Sequence, residues 1–189
     1  MKPYQTISNK QTGETLTLLI SEEDNGGVCN KYEIFLPAHR PSPPMHYHTD
    51  FIEIFTVKKG VLDFYLDKEK RRVSIGEGQS LTAEINQLHT FANDHGEPVI
   101  FTVEARPAGG LVKAFQLAYG VANEGGCGED QLPANFLVKL YFIRLSQGYL
   151  PSIPLFFQKT LFAFATFILY VVGKKRKLDQ YLEGCFDNQ

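Results

Sequence analysis

The stretch HYHTDFIE, residues 46–53, together with His89 further along the chain, supplies three imidazoles and one carboxylate in an order that can surround one divalent metal ion. The two histidines of the stretch are two residues apart, so their rings share one face of an extended strand. Glu53 follows His48 by five residues, and this odd separation would place it on the opposite face of an unbroken strand. We therefore expect a turn at Thr49-Asp50, after which Glu53 can face the same interior as the histidines.

The sequence before Gly109-Gly110 consists of short apolar stretches separated by Gly, Asn and Pro, a pattern typical of β-strands and turns. In one of them Leu62, Phe64 and Leu66 alternate with more polar residues, as expected for a strand with one buried face. Many short strands at close spacing predict a β-sandwich or β-barrel. We predict strands at residues 14–20, 32–36, 52–57, 61–66, 72–75, 80–83, 89–92 and 99–105, the third and fourth forming a hairpin.

The character of the sequence changes after Gly110, where apolar residues recur at helical spacing. We predict three helices at residues 111–122, 133–147 and 154–173. A tail, residues 174–189, begins with the basic cluster Lys174-Lys175-Arg176-Lys177.

The composition is that of a globular protein, with 189 residues, 43% hydrophobic, 21% charged and a formal net charge of −2. It lacks the basic surplus of nucleic-acid-binding proteins, so we expect no nucleic-acid partner. Cys29, Cys127 and Cys185 are far apart and odd in number, which predicts neither a disulfide framework nor a zinc ribbon. The first residues contain no apolar segment of a secretory signal. A cytoplasmic protein with reduced thiols is the simplest interpretation.

Neutral imidazoles and one carboxylate suit Mn(II), Fe(II), Ni(II), Cu(II) or Zn(II). Four protein ligands would leave open positions on an octahedral ion for water, dioxygen or a chelating substrate. Two other interpretations stay open: ordinary surface or hydrogen-bonded core histidines, and a pocket that keeps the ligand types but holds no ion.

These residues resemble the first motif of the cupin family, commonly written G(X)5HXH(X)3-4E(X)6G. His46, His48, Glu53 and Gly60 stand at matching offsets, whereas Arg40 replaces the leading Gly. The departure affects a loop position and not a ligand position.

The second cupin motif, commonly written G(X)5PXG(X)2H(X)3N, is matched at Gly78, His89 and Asn93. Glu84 replaces its Pro and Asn86 replaces its second Gly. Because Asn tolerates a left-handed backbone better than other non-Gly residues, we expect the turn to survive.

The resemblance implies a mainly β protein: a small jelly-roll-like cupin β-barrel over residues 1–107, followed by a helical C-terminal extension over residues 108–189. It also implies one divalent transition metal ion (Fe, Mn, Ni, Cu or Zn) bound by His46, His48, Glu53 and His89. The expected function is a metal-dependent enzyme, dioxygenase-like or isomerase-like, on a small organic molecule. The alternative is a non-catalytic small-molecule binding or sensor module, since cupin-like barrels are known in both roles. No catalytic residue is assigned beyond the metal ligands.

Residues near the motifs are weaker candidates. His39 and His95 lie outside both motifs, and His39 could sit at the mouth of the pocket. Asp50 and Glu84 could act as acid or base, although solvated turn residues are the simpler interpretation. A set of apolar residues has the character of a barrel lining, which suits a small apolar or aromatic ligand; these are Phe55, Val57, Phe91, Phe101 and Val103.

The last predicted helix contains thirteen residues, 161–173, that are apolar on almost all sides. Such a helix must be buried in protein or lipid. Because a spanning helix needs about 20 apolar residues, burial against the barrel wall or in a homodimer is favoured. Contact of residues 155–177 with a membrane surface, helped by the basic cluster, is the next alternative and would make the protein peripheral to a membrane; a spanning segment is the third.

Overall fold

The computed structural model describes residues 1–41, 43–128 and 132–183. Within these ranges the chain forms nine β-strands and then four α-helices. The strands are β1 (Thr6–Ser8), β2 (Thr15–Ile20), β3 (Asn30–Leu36), β4 (Ile52–Lys59), β5 (Val61–Leu66), β6 (Arg71–Gly76), β7 (Ser80–Ala83), β8 (His89–Ala92) and β9 (Val99–Arg106). The helices are α1 (Leu111–Asn123), α2 (Phe136–Ser146), α3 (Leu155–Val171) and α4 (Lys174–Leu182).

The strands form two antiparallel sheets. The larger sheet has six strands in the order β1-β2-β3-β9-β4-β7, and the smaller has three in the order β6-β5-β8. Apolar side chains from both sheets make one core, which includes Tyr32, Phe55, Phe64 and Phe101. The predicted cupin-like β fold with a helical part is therefore confirmed.

Strand β4 shows how the sequence pattern produces the interior. Its side chains alternate, so that Glu53, Phe55 and Val57 are buried while Ile52, Ile54 and Thr56 are partly exposed. This is the period of two expected for a strand with one face in the core. Glu53 is the exception in this row, because a carboxylate occupies a core position.

The predicted hairpin joins β4 to β5 through Gly60. Its φ is +88°, and a Cβ at this position would lie 2.9 Å from the Pro98 carbonyl oxygen. Both the left-handed backbone and the close approach require glycine, which explains why Gly closes the first motif.

Three elements were not expected from the sequence: the short edge strand β1, a 3-10 helix at Glu22–Asp24 and the helix α4 at the start of the tail. Helix α2 also begins three residues later than predicted. The side chain of Asn135 accepts hydrogen bonds from the N–H groups of Leu137 and Val138 and so caps the helix at that point. Cys185 and the end of the tail, residues 184–189, lie outside the described residues.

The four helices pack mainly on one another, and α4 also returns to contact α1. Leu111 and Val112 of α1 join the barrel core, α2 packs on α1, and α3 packs on α2 and α4. Of the two favoured kinds of burial, that of α3 against the barrel wall is wrong, because its main contacts are other helices and most of its apolar side chains are exposed. Burial in a homodimer stays a prediction. None of the described helices is by itself long and apolar enough to cross a bilayer; α3 and α4 together have the length and composition, but they are bent by 107°.

Candidate metal centre

The backbone brings His46 and His89 together before their side chains are considered. The two residues form an isolated antiparallel bridge, in which the N–H of each donates to the carbonyl of the other at 3.1 and 2.9 Å. Side chains of such a directly opposed pair lie on the same side. The imidazole ring centroids are accordingly 4.6 Å apart.

The expected turn after the HxH sequence is present. Residues 49 and 50 form a bend, and β4 starts two residues later with Glu53 facing inward. The HxH segment itself is not a regular strand: it makes only two isolated bridges, His46 with His89 and Tyr47 with Tyr149.

The four predicted side chains converge on one point between the two sheets. One ligand atom from each of His46, His48, Glu53 and His89 lies within 4.8 Å of all the others. Glu53 Oε2 is 3.0 Å from His48 Nε2 and 2.9 Å from His89 Nε2. His48, Glu53 and His89 are at most 5% exposed, whereas His46 is half-buried at the edge of the cluster.

Main-chain carbonyl groups orient all three rings. The Nδ1 of His46 lies 2.8 Å from the Pro44 oxygen, that of His48 lies 2.9 Å from the Gln147 oxygen, and that of His89 lies 2.9 Å from the Gln87 oxygen. A carbonyl oxygen only accepts, so each Nδ1 must carry the proton and donate it. In the neutral rings the three Nε2 atoms then carry lone pairs.

Burial and charge act in opposite directions on the ionisable groups of the cluster. Burial, with neighbouring His89 and His48, lowers the pKa of His46 to about 3. Burial alone would raise the pKa of the Glu53 carboxyl, but His48 and His89 outweigh it and hold that pKa well below its usual range. Burial lowers the pKa of His89, but the contact with Glu53 raises it by more, so the pKa lies above its usual value.

The contacts between the rings and the Glu53 carboxylate indicate whether a metal ion would fit in the cluster. His48 Nε2 is buried and close to the carboxylate, yet it has no hydrogen bond there. Neutral rings would point lone pairs at a carboxylate oxygen 2.9–3.0 Å away, an arrangement that needs a proton or a cation between them. Three imidazole nitrogens and one carboxylate are a donor set that divalent transition metals accept. The residues fit such an ion, and their role as ligands stays a prediction.

The departure from the second motif is harmless for a specific reason. Asn86, which stands where that motif has Gly, adopts a left-handed backbone with φ of +65°. Its N–H donates to the His48 carbonyl at 2.8 Å. The expected turn is thus confirmed, and it also supports the chain at one of the four candidate ligands.

Aromatic side chains surround the cluster. The Phe51 ring stacks on His48 with centroids 4.2 Å apart, and the Phe55 ring meets His89 at 6.4 Å. The residues predicted to line the interior are indeed inside: Phe55, Val57, Phe101 and Val103 are buried and Phe91 is partly buried.

The weaker candidates lie elsewhere. His39 is exposed, and its main-chain N–H donates to the His95 carbonyl. The side chain of His95 approaches Asp63 at 3.1 Å, so neither histidine joins the cluster. Asp50 and Glu84 are exposed turn residues, as the simpler interpretation expected.

Residues at the α2–α3 connection were missed by sequence reasoning. Gln147 supplies the carbonyl that holds His48, and Tyr149 pairs with Tyr47 between the two histidines. Gly148 lies so close that a Cβ there would be 3.3 Å from the His46 ring. The positions are about a hundred residues apart in sequence, so no local pattern could connect them.

The comparison with protein families agrees with this geometry. Residues 32–103 match the cupin domain family, Cupin_2, over a segment that includes all four candidate ligands. This segment is a cupin domain. No curated protein matches the chain by sequence.

Solved structures of other proteins resemble part of the chain. The polyketide cyclase RemF from Streptomyces resistomycificus is 22% identical with a TM-score of 0.44, covering 49% of this chain and 64% of the cyclase, which is less than two thirds of its length. A predicted oxalate decarboxylase from Thermotoga maritima is 19% identical with a TM-score of 0.47, covering 56% and 92%. The Cupin_2 domain of an XRE family transcriptional regulator from Enterobacter cloacae is 18% identical with a TM-score of 0.42, covering 49% and 95%. Identities and TM-scores this low carry no statement about the activity of this chain.

Proposed function

We propose that this cupin holds one divalent transition metal ion between His46, His48, Glu53 and His89 and acts through it on a small organic molecule. The observation that carries the proposal is the orientation of the three rings. Each Nδ1 donates to a main-chain carbonyl, which leaves each Nε2 available to the ion. The donor set suits iron, manganese, nickel, copper or zinc.

The bound ion would serve as a Lewis acid or oxygen activator at its open positions, which suits dioxygenase-like or isomerase-like chemistry. The protein itself would orient the donors and control solvent. The carbonyls of Pro44, Gln87 and Gln147 hold the ring planes. Phe51 and Phe55 cover two of the rings with apolar surface, which limits the access of water to the donors.

A non-catalytic binding or sensor role is the second candidate, and one observation favours it. Asp50 and Glu84, the acid or base candidates of the sequence, are both exposed. The rings that touch His48 and His89 from outside the cluster belong to Phe51 and Phe55, which cannot transfer protons. With either role we propose a cytoplasmic protein, because the composition and the scattered cysteines suit that compartment.

The first experiment measures metal content. Protein purified without added metal is analysed by plasma mass spectrometry, and we expect about one transition metal ion per chain, as four donors surround one point. His48→Ala should lose the ion while far-UV circular dichroism stays unchanged. His95→Ala is the matched control, because this histidine contacts a buried carboxylate outside the cluster. Equal metal content in His48→Ala and the wild type would show that the ligand assignment is wrong.

The second experiment separates the two roles. Metal-loaded protein is given catechols, flavonols and diketones while oxygen consumption and product formation are followed. Turnover that disappears in His48→Ala supports the enzyme. Saturable binding of one of these compounds without turnover, also lost in His48→Ala, supports the binding module.

A further inference from the structure

Helix α3 has two faces of different chemistry. One narrow stripe, spaced by four, three and four residues, is buried against the other helices and the α2–α3 connection and consists of Gln158, Phe162, Ala165 and Leu169. The opposite stripe is also apolar but faces outward. Its four large side chains are 59–74% exposed; they are Phe156, Phe164, Phe167 and Val171, which we call the α3 outer face.

The α3 outer face belongs to a contiguous apolar surface rather than to a few scattered apolar side chains. The helix has 17 residues, a length of about 25 Å, and no charged residue occurs between Lys159 and Lys174. Phe157, Tyr170 and Val172 continue the exposed apolar surface beside it. Contiguous apolar surface of this kind marks an interaction site.

Positive charge stands at both ends of the apolar surface. Lys159 is near the start of α3, and the basic cluster begins α4, which turns away from α3 by 107°. Lys175 pairs with Asp179 at 2.7 Å and Lys177 pairs with Glu124 at 2.7 Å. Lys174 and Arg176 are exposed and make no ion pair with any residue in the described ranges.

A concave surface lies at the bend between the two helices. It has a volume of about 410 Å³ and is lined by Tyr170, Gly173, Lys175, Arg176 and Asp179. Lys175 neutralises Asp179, so Arg176 leaves this concavity positive. The Tyr170 ring next to the exposed Arg176 guanidinium suits the boundary between acyl chains and phosphate groups.

We propose that the α3 outer face docks on an anionic lipid bilayer, with α3 lying in the plane of the interface and Lys174 and Arg176 meeting the headgroups. Segment 154–173 contains no Asp or Glu. If two copies paired through it head to tail, Lys159 of one would approach Lys174 and Arg176 of the other, and a parallel pair would bring like ends together. Neither arrangement supplies a negative partner, whereas an anionic membrane supplies one.

The test is flotation of the full chain with lipid vesicles in detergent-free buffer. We expect binding to phosphatidylcholine vesicles with about one third phosphatidylglycerol to exceed binding to pure phosphatidylcholine vesicles by at least about tenfold. The reason is that each cationic side chain near an anionic lipid surface adds to the binding free energy. Lys174→Gln with Arg176→Gln should remove most of this preference. Lys58→Gln with Lys59→Gln is the charge-matched control on an exposed strand end and should bind like the wild type.

The apolar contribution is tested separately. Phe164→Ser with Phe167→Ser should reduce binding to anionic vesicles by at least about tenfold, while Tyr4→Ser with Val28→Ser, also exposed apolar residues, should not. Circular dichroism checks that all variants are folded, and the test does not depend on bound metal. Equal binding to neutral and anionic vesicles, or no binding to either, would overturn the proposal. A stable dimer in analytical ultracentrifugation that does not bind vesicles would also overturn the proposal if Phe164→Ser with Phe167→Ser dissociated it. The α3 outer face would then bind a second copy of the chain rather than a membrane.

Discussion

The interior around Glu53 and the outer face of α3 depart from the usual distribution of residues in opposite directions. Around Glu53, a carboxylate and imidazoles are buried among phenylalanines; on α3, phenylalanines face solvent. Both arrangements cost free energy in an isolated chain, because buried charge needs a partner and exposed apolar surface needs a cover. Under the two proposals, each region is completed by a component from outside the chain: a cation in one and an apolar, anionic surface in the other.

A second carboxylate shows that burial alone does not mark a metal site. Asp63 is as buried as Glu53, but Arg72 lies 2.8 Å away, the Ser74 hydroxyl donates to it, and His95 approaches at 3.1 Å. Its charge is thus balanced within the chain. The Glu53 carboxylate instead contacts the imidazoles of His48 and His89, with no arginine or lysine paired to it within the described ranges, so the proposed cation would balance its charge.

The largest effect should separate the two apolar regions. Phe55→Ala, in the core beside His89, should lower the free energy of unfolding by about 3–5 kcal/mol because it leaves a cavity. Phe164→Ala, on the outer face of α3, should change it by no more than about 0.5 kcal/mol. Urea unfolding followed by circular dichroism measures both. A loss of several kcal/mol in Phe164→Ala would mean that this side chain is buried in solution, contrary to the description of the face as exposed.

The second effect compares the two buried carboxylates. Removing a residue that hydrogen-bonds to a metal ligand lowers metal affinity about 10–100-fold. Because Glu53→Gln removes a predicted ligand itself, it should weaken metal binding by more than about a hundredfold. Asp63→Asn should leave metal affinity within about twofold, as Asp63 lies outside the cluster. Competition with a chromophoric chelator gives both affinities. If the two variants lose metal equally, the difference drawn between the carboxylates is not real.

The third effect is the pH dependence of Asp63. Burial works against ionisation, but Arg72 and Ser74 outweigh it, so the folded-state pKa of Asp63 is lowered. Because the pKa of Asp63 is lower in the folded protein than in the unfolded chain, where it is about 3.9, ionised Asp63 stabilises the fold at pH values above about 3.9. This stabilisation is lost as the pH falls through the pKa of the folded protein. The free energy of unfolding of the wild type should therefore exceed that of Asp63→Asn by about 2 kcal/mol at pH 7. This difference should shrink below about pH 4. Chemical unfolding of both proteins across this range provides the check; a difference that grows in acid would reverse the sign assigned to Asp63.

The smallest effect tests the connection between the helical part and the cluster. Gly148→Val should push on His46, whose ring is 3.3 Å from the position of the added Cβ, and reduce metal affinity by about tenfold. Gln147→Asn is the control, because Asn tolerates the left-handed backbone at position 147 and keeps the carbonyl that holds His48. Isothermal titration with the metal measures both variants. Unchanged affinity in Gly148→Val would show that the α2–α3 connection does not constrain His46.

Much of the candidate site could be predicted from the sequence because its signals are local. The HxH spacing, the bend before Ile52 and the alternation along β4 each depend on a few neighbouring residues, and together they turn Glu53 inward. Asn86 could be expected to replace glycine because its left-handed backbone is a property of the residue itself. The late start of α2 could also have been read, since Asn135 is a strong helix cap.

By itself, the sequence determined the candidate donor atoms, the strand and helix pattern, and the apolar character of α3, because side-chain chemistry and short-range periodicity are written in adjacent positions. Only the tertiary structure decided that Gln147 would hold His48, that Gly148 would face His46, and that α3 would bury one stripe on α2 and α4 while exposing the other. These outcomes depend on packing between segments far apart in the chain, where several arrangements bury similar apolar area and local propensity does not distinguish among them.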